Sequence, residues 1–369
     1  MSLLEILPTV ERPLPPPAIQ YSADERVVFF DLSFDELADL LYTRHGLPRF
    51  RAGQVFEWVY RKRITDFSLM TNISKEVRAI LSETFDFPVP QWRDRQISKD
   101  GTRKYLFEVS EGGLVEAVMI KQPTRMTLCV SSQVGCGMGC KFCRTATMGF
   151  GRHLKTSEIL QQVLGVIDDA KNFDDMFSNV VFMGMGEPLH NFDGVTRALS
   201  LMTDPRGLAI GGRKITVSSV GLVPAIERFG QLRTGVNLAI SLNATTDDIR
   251  KEIMPINKAY PLERLRECLK SFPLKKGRRI TIEYVMLHGV NDTAEDLKRL
   301  PKILRGIPSK INLIPYNENA GLGFSAPPKA WIAEWQSKLN DLGFCTTVRW
   351  SKGADISAAC GQLAHKAQS

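Results

Sequence analysis

The sequence predicts an α/β protein, with a mostly parallel sheet as its core and a small helical region and a β-hairpin ahead of it. Two observations carry this. From about residue 125, short β-branched runs alternate with amphipathic helical patterns about six times, as parallel strands joined by right-handed helical crossovers do. Before residue 100 the apolar residues recur at helical spacing instead. The 369 residues are 43% hydrophobic and 24% charged, enough apolar material for one large domain and a small accessory one.

Taken in order, residues 1–27 are proline-rich without an apolar period and read as a flexible leader. Residues 28–100 read as a helical accessory domain. Ser33 and Glu36 make a capping box, and Phe34, Leu37, Leu40 and Leu41 form one helical face. A second helix carries Val55, Phe56 and Val59; a third runs from Ser74 to Thr84, before Pro88 and Pro90 break the pattern. Residues 102–109 and 114–121 flank Glu111-Gly112-Gly113, a hairpin signal within a linker over 101–124. The core then occupies 125–369. Its predicted strands are Met126–Ser131, Asn179–Gly184, Lys214–Ser219, Val236–Leu242, Ile280–Leu287, Ile311–Pro315 and Thr346–Trp350. Helical patterns between them include Thr156–Lys171, Pro261–Ser271, Ala294–Leu304 and Pro328–Leu342. Such a sheet is either open and doubly wound, or curved into a barrel or partial barrel. Periodicity does not choose.

Composition narrows the class of function. No run approaches the roughly 18–20 apolar residues of a membrane span, and no secretory signal stands at the N-terminus. Seven cysteines are present, four of them between Cys129 and Cys143. That is no secreted disulfide framework; in a reducing compartment it points to metal binding or catalysis. A soluble cytoplasmic enzyme is expected. The net charge of +8 suits a polyanionic partner, or simple solubility.

Cys136, Cys140 and Cys143 fall in a loop after the first core strand, among Gly135, Gly137 and Gly139. Glycine lets a backbone wrap a bulky ligand. A full iron–sulfur cubane takes four thiolates; three leave one iron for another ligand. The alternative is a zinc site with Cys129 as fourth ligand, though zinc sites are usually built from two short Cys-x2-4-Cys pairs. In parallel α/β folds, functional groups gather at the carboxyl ends of strands. Those ends hold Gly184-Met185-Gly186-Glu187-Pro188, Ser218-Ser219, Ser241-Leu242-Asn243 and Tyr316-Asn317. Glycines there admit a ligand to the backbone, and Glu187 can accept bonds from an ammonium.

With Phe142 before its last cysteine, the loop resembles the radical S-adenosylmethionine (SAM) motif. Longer stretches resemble the RlmN family, the radical SAM adenine-carbon-2 methyltransferases of 23S rRNA and tRNA. They are Pro48–Ala52, Leu128–Cys136, Met183–Pro188, Ile282–Leu287, Ile311–Asn317 and Asp355–Leu363, and the likeness runs from about 30 to 364. The resemblance implies a partial (β/α) barrel with a small N-terminal helical domain. It implies a 4Fe–4S cluster on Cys136, Cys140 and Cys143. Two SAM molecules per turnover are implied, one methylating Cys360 and one cleaved to a radical that activates that methyl group. Carbon-2 of adenine lies between two ring nitrogens and is a poor nucleophile, so the cofactor must carry the hard step. By the same resemblance Cys129 forms a transient disulfide with Cys360, and Glu116 accepts the carbon-2 proton. SAM contacts map to Gly186, Glu187, Ser218, Ser241, Leu242, Asn243 and Asn317.

Two positions depart from the family pattern: Asn243 stands where histidine is common, and Lys352 where arginine is. Pro188 fits the carbon-2 enzymes rather than their carbon-8 relatives. The resemblance further implies a flavodoxin- or ferredoxin-type electron donor and a monomer. Arg44, Arg49, Arg51, Arg61, Lys62 and Arg63, with Trp58 and Tyr60 nearby, make either an RNA-binding face or a solvated helix with core aromatics. Cys268 and Cys345, outside these motifs, are assigned to the core. A carbon-8 methyltransferase and an RNA-binding protein with a structural cluster are the competing readings.

Overall fold

The computed structural model describes residues 25–88, 91–319 and 321–364, so the expected leader lies outside the described residues up to position 24. The chain opens with β1 (Val27–Val28), α1 (Phe34–His45), α2 (Arg49–Phe56), α3 (Lys75–Thr84) and β2 (Phe85–Asp86), with β1 and β2 paired in parallel. The Ser33–Glu36 capping box is present in both directions, and Gly46 ends α1 in the left-handed conformation. A π-helical turn over Glu57–Arg61 extends α2 and turns Val59 and Tyr60 inward. The Phe56 and Tyr60 rings pack 4.5 Å apart, and Phe29, Phe85 and Phe87 complete an aromatic core.

Next come β3 (Gln91–Ile97), β4 (Arg103–Glu108), β5 (Leu114–Gln122) and β6 (Arg125–Cys129), each antiparallel to the one before it. The expected hairpin is β4–β5, but β3 is a strand the sequence hides. Polar residues dominate it because it is the edge of the sheet, where no second layer demands an apolar face, and a bulge between Trp92 and Asp94 twists it.

A two-stranded ribbon, β7 (Gln133–Gly135) and β8 (Phe150–His153), brackets the cysteine loop. The alternation then runs as expected: α4 (Thr156–Ala170), β9 (Asn179–Phe182), α5 (Phe192–Thr203), β10 (Ile215–Ser219), α6 (Val223–Gln231) and β11 (Asn237–Ser241). It continues through α7 (Asp247–Ile253), α8 (Leu262–Ser271), β12 (Ile280–Met286), α9 (Ala294–Ile303), β13 (Ser309–Pro315), α10 (Lys329–Asp341) and β14 (Thr346–Val348).

The main sheet has ten strands in the spatial order β14-β13-β12-β11-β10-β9-β6-β5-β4-β3, parallel from β6 to β14. This order settles what periodicity left open. A doubly wound sheet reverses direction at a switch point; here each successive strand from β9 adds on the same side. Right-handed crossovers then put the helices on one face, and the sheet curves into a barrel that its two edges, β3 and β14, leave open. Among the described residues no helix is long and apolar enough to cross a membrane.

The helical region is clamped to the core by buried polar contacts. The Asp31 carboxylate accepts bonds from the Ser157 backbone (2.7 Å) and hydroxyl (3.1 Å) at the start of α4. Arg197 of α5, 8% exposed, pairs with Glu36, and Arg63 pairs with Asp168 at 2.7 Å.

Candidate active site

The cysteine loop is shaped by glycine where backbone meets backbone. Gly135 has φ 73°, and a Cβ there would lie 2.1 Å from the Gly149 carbonyl oxygen, which accepts the Cys136 N–H at 2.7 Å. The three thiols are buried together. Burial pushes Cys136 up to about 12 and Cys140 well above the ordinary thiol range, with the mutual repulsion of neighbouring sulfurs adding to it. Backbone N–H groups of Met138 (toward Cys136) and of Thr145 and Ala146 (toward Cys143) oppose that shift. Such a set takes up a metal as thiolates, whose charge the metal and the N–H donors balance. The donors fit a cubane better than zinc. One tetrahedral ion needs its ligands to converge on a point, and among the described residues no three His, Cys, Asp or Glu side chains do so. In a cubane each thiolate holds a different iron.

Around this loop stand the carboxyl ends of the parallel strands. A cavity of about 150 Å³ is lined by Cys143, Gly186, Glu187, Ser218, Ser241, Asn243, Asn317 and Cys360. Its wall is exacting. Gly186 has φ 99°, and a Cβ there would lie 2.6 Å from Cβ of Gln133. Glu187 is 2% exposed; its carboxylate accepts N–H bonds from Val220 (2.9 Å) and Leu189 (3.1 Å), while burial lifts its pKa to about 7.

Leu242 is the one expected contact that does not line the cavity. Its side chain is in the core, and its carbonyl accepts Nε of the buried Arg250 at 3.0 Å. Alternation along β11 turns Ser241 to the cavity and Leu242 away from it. Asn243 lines the cavity with φ 54°, a conformation in which asparagine is favoured among non-glycine residues. Its Oδ1 accepts the Val285 N–H at 2.8 Å, and its Nδ2 points at Met254 Sδ (3.3 Å). The amide therefore ties β11 to β12 as well as facing the cavity.

The outer cysteines meet here from opposite ends of the core. Cys129, last residue of β6, is buried; burial pushes its thiol up to about 12, and Cys360 raises it further while Arg349 opposes the shift. Cys360 sits on a segment pinned from two sides. Asn317 Nδ2 donates to the Cys360 carbonyl (2.9 Å), the Arg144 N–H to the Gly361 carbonyl (2.7 Å) and Thr145 Oγ1 to the Leu363 carbonyl (2.6 Å). Glu116 lies on β5 in the wall of a neighbouring cavity of about 1380 Å³. One carboxylate oxygen pairs with Lys104 at 3.0 Å; the other is buried with no hydrogen-bond partner among the described residues.

Four residues that sequence reasoning did not single out complete the site. Arg349, just past β14, lines the same cavity as Cys360, and its positive charge acts on both outer sulfurs. Glu283 is a buried carboxylate on the same wall, bonded to Asn312 at 3.2 Å. Arg250 holds the ends of β10 and β11 through the Val220 (2.7 Å) and Ser241 (3.3 Å) carbonyls. Gln133, fully buried, accepts the Glu187 N–H on Oε1 at 2.9 Å and donates from Nε2 to Nδ1 of His153 (3.0 Å) and His190 (2.9 Å). Gln133 and Glu283 left a trace, as polar residues within the Leu128–Cys136 and Ile282–Leu287 stretches; Arg250 and Arg349 are visible only once strands are adjacent.

Comparison with known proteins bears on this arrangement. Residues 130–300 match the model of the radical SAM superfamily, and residues 28–86 match that of the ribosomal RNA large subunit methyltransferase N-terminal domain. A dual-specificity RNA methyltransferase RlmN from Geobacter sulfurreducens is 51% identical over 335 residues, covering 91% of either chain. The chain belongs to the RlmN family. An RlmN 2 of Myxococcus xanthus is 44% identical over 98% of this chain and 96% of its own. The crystal structure of a radical SAM methyltransferase from Sphaerobacter thermophilus superposes with a TM-score of 0.85 at 38% identity, covering 91% of this chain and 98% of its own. The protein is thus a radical SAM RNA methyltransferase with the mixed α/β fold expected of that family.

The basic N-terminal face is simpler than its sequence suggests. Trp58 and Tyr60 are 9% and 2% exposed and belong to the core. Arg61, though exposed, donates to the Pro205 carbonyl, and Arg63 pairs with Asp168. Of the two remaining cysteines, Cys268 is in the core as expected, but Cys345 is exposed, because it precedes the edge strand β14.

Proposed function

We propose that this enzyme methylates carbon-2 of adenosine in 23S rRNA and tRNA, using Cys360 as the methyl carrier and Cys129 as the group that releases it. The observation that carries the reading is that Cys360 and Arg349 line one cavity with Cys143 of the cysteine loop, with the buried Cys129 within their electrostatic reach. When bound on Cys136, Cys140 and Cys143, the 4Fe–4S cluster and SAM supply the hydrogen-abstracting radical that unreactive carbon requires.

The chain's own residues do the rest. Gly186, Glu187, Ser218, Ser241 and Asn317 bind and orient SAM, Glu187 as acceptor for its ammonium. The pinned 360–363 segment holds the Cys360 sulfur at the rim, so that its methyl group meets both the cofactor and the base. Glu116 takes the carbon-2 proton on its unpartnered oxygen, while Lys104 holds the other oxygen in place. Cys129 attacks the Cys360 sulfur as a thiolate, and the disulfide that forms frees the methylated base. Arg349 favours that thiolate. Two SAM per turnover, a flavodoxin- or ferredoxin-type donor, a monomeric state and a cytoplasmic site of action belong to the same reading. Pro188 favours carbon-2 over carbon-8.

Nucleoside mass spectrometry tests it. The gene is expressed in a strain lacking its own enzyme, and rRNA and tRNA are digested separately. The expected result is 2-methyladenosine in both pools and none with Cys360→Ala. Finding 8-methyladenosine instead would overturn the carbon-2 assignment, and no methylated adenosine would overturn the reading as a whole.

A further inference from the structure

At the opposite end of the sheet from the cysteines, the loops entering β11 and β12 line a groove of about 270 Å³, and the loop entering β10 lies beside it. Its floor is apolar, with Phe229, Phe272 and Leu274, and its rim carries Arg233, Lys275, Arg278 and Arg279. Arg213 and Lys214, just before β10, and Lys276 extend the positive surface. The loops 211–214, 231–236 and 271–279 contain no aspartate or glutamate. Arg213, Lys214, Arg233, Lys275, Lys276 and Arg279 are all exposed, and none makes an ion pair among the described residues.

The groove is a built feature. Asn237 donates to the Arg213 (2.9 Å) and Ile215 (3.0 Å) carbonyls and accepts from Arg278 Nη2 at 2.6 Å; Arg278 also donates to the Gly235 carbonyl (2.9 Å). Three loops are thereby knitted into one cationic rim. Partial burial and the nearby charge of Arg213 both hold the Arg278 guanidinium below its ordinary range, as crowding of like charges does. Gathering cations without counter-charges works against folding, and a polyanion bound there removes the repulsion.

We propose that this groove is a second RNA-contact surface, which grips the phosphate backbone of the substrate RNA away from the nucleotide being modified. The inference rests on the chain's membership of an RNA methyltransferase family. An acidic protein reductant is the rival occupant, but it suits this face poorly. It must deliver electrons to the cysteine loop, and β10 alone separates the two ends by about 17 Å at roughly 3.3 Å per residue. A folded RNA is large enough to span that separation, and phosphate with an adjoining base matches a cationic rim over an apolar floor.

The test measures binding of the full-length enzyme to transcribed tRNA and to a short hairpin bearing the target adenosine, by fluorescence anisotropy at several KCl concentrations. The variants are the triple charge reversal K275E/K276E/R279E and its neutral counterpart K275Q/K276Q/R279Q. The reversal is expected to weaken tRNA binding about tenfold or more. It should also lower the slope of log K against log salt by about one for each phosphate the variant no longer neutralises. The neutral variant should give a smaller loss in the same direction. Hairpin affinity and 5′-deoxyadenosine formation from SAM should not change. Unchanged tRNA affinity and slope in both variants would overturn the proposal. So would unchanged RNA binding with slower reduction by a flavodoxin, which would make the groove a protein dock. The nucleoside assay reads the carbon-2 assignment independently, so either can fail alone.

Discussion

Single residues carry the chemistry, and each has a distinct failure. Cys129 lies buried at the end of β6, within electrostatic reach of Cys360 and Arg349. On the proposed roles, Cys129→Ala should still load and use the methyl carrier but leave the link between Cys360 and the base unresolved. The expected outcome is a protein–RNA adduct that persists on a denaturing gel, absent when Cys360 is also replaced. Gly186 fails differently. Its positive φ and the 2.6 Å approach to Gln133 leave no room for a methyl group. Gly186→Ala should strain the turn by about 2 kcal/mol or more and weaken SAM binding over tenfold, measured by calorimetry on the loaded enzyme.

At the scale of elements, the β7–β8 ribbon and the turn after β9 act as one unit through Gln133. The Glu187 N–H fixes which way the Gln133 amide faces, so its NH₂ meets both imidazoles. An NH₂ group only donates, so Nδ1 of His153 and of His190 accepts, and the His153 ring is neutral with its proton on Nε2. Burial of the packed ring, with the neighbouring His190, lowers the His153 pKa to about 4. The unfolded chain, with histidine near 6.5, binds more protons between those values than the folded one. Stability is therefore expected to be full above about pH 6.5 and to fall as pH drops toward 4. Urea midpoints at pH 7 and pH 5 would show this, and the difference should shrink in His153→Asn. The sequence shows these elements unevenly. Strand–helix alternation marked β9 to β14 because helical patterns set each strand off and the inner strands β11, β12 and β13 carry buried apolar runs. It missed β3 because that edge strand is polar and no helical pattern adjoins it.

The whole molecule is a helical region held against an open barrel in part by part-buried polar contacts. Arg197 reaches from α5 to Glu36 of α1 and to the Asp31 carbonyl. Removing it leaves a half-buried carboxylate facing the core. Arg197→Ala is expected to destabilise the protein by about 2 kcal/mol, read as a lower urea midpoint, with the barrel's cofactor rim intact. An unchanged midpoint would mean that the clamp rests on the Asp31–Ser157 and Arg63–Asp168 contacts.

What the sequence determined by itself were the features local to a short stretch: the three-cysteine loop, the capping box of α1, the glycines of the turn after β9, and the family likeness carried by contiguous motifs. Spacing and backbone freedom are properties of neighbours in the chain, so they can be read there. Only the tertiary structure decided which separated residues share a space. It brought Cys129 to Cys360 under Arg349, turned Leu242 into the core while Ser241 faces the cavity, drew Trp58 and Tyr60 inward, and gathered basic residues from three loops around one groove. The reason is physical. Strand order, crossover hand and side-chain alternation set these adjacencies, and they act between segments whose separation along the chain leaves no local pattern.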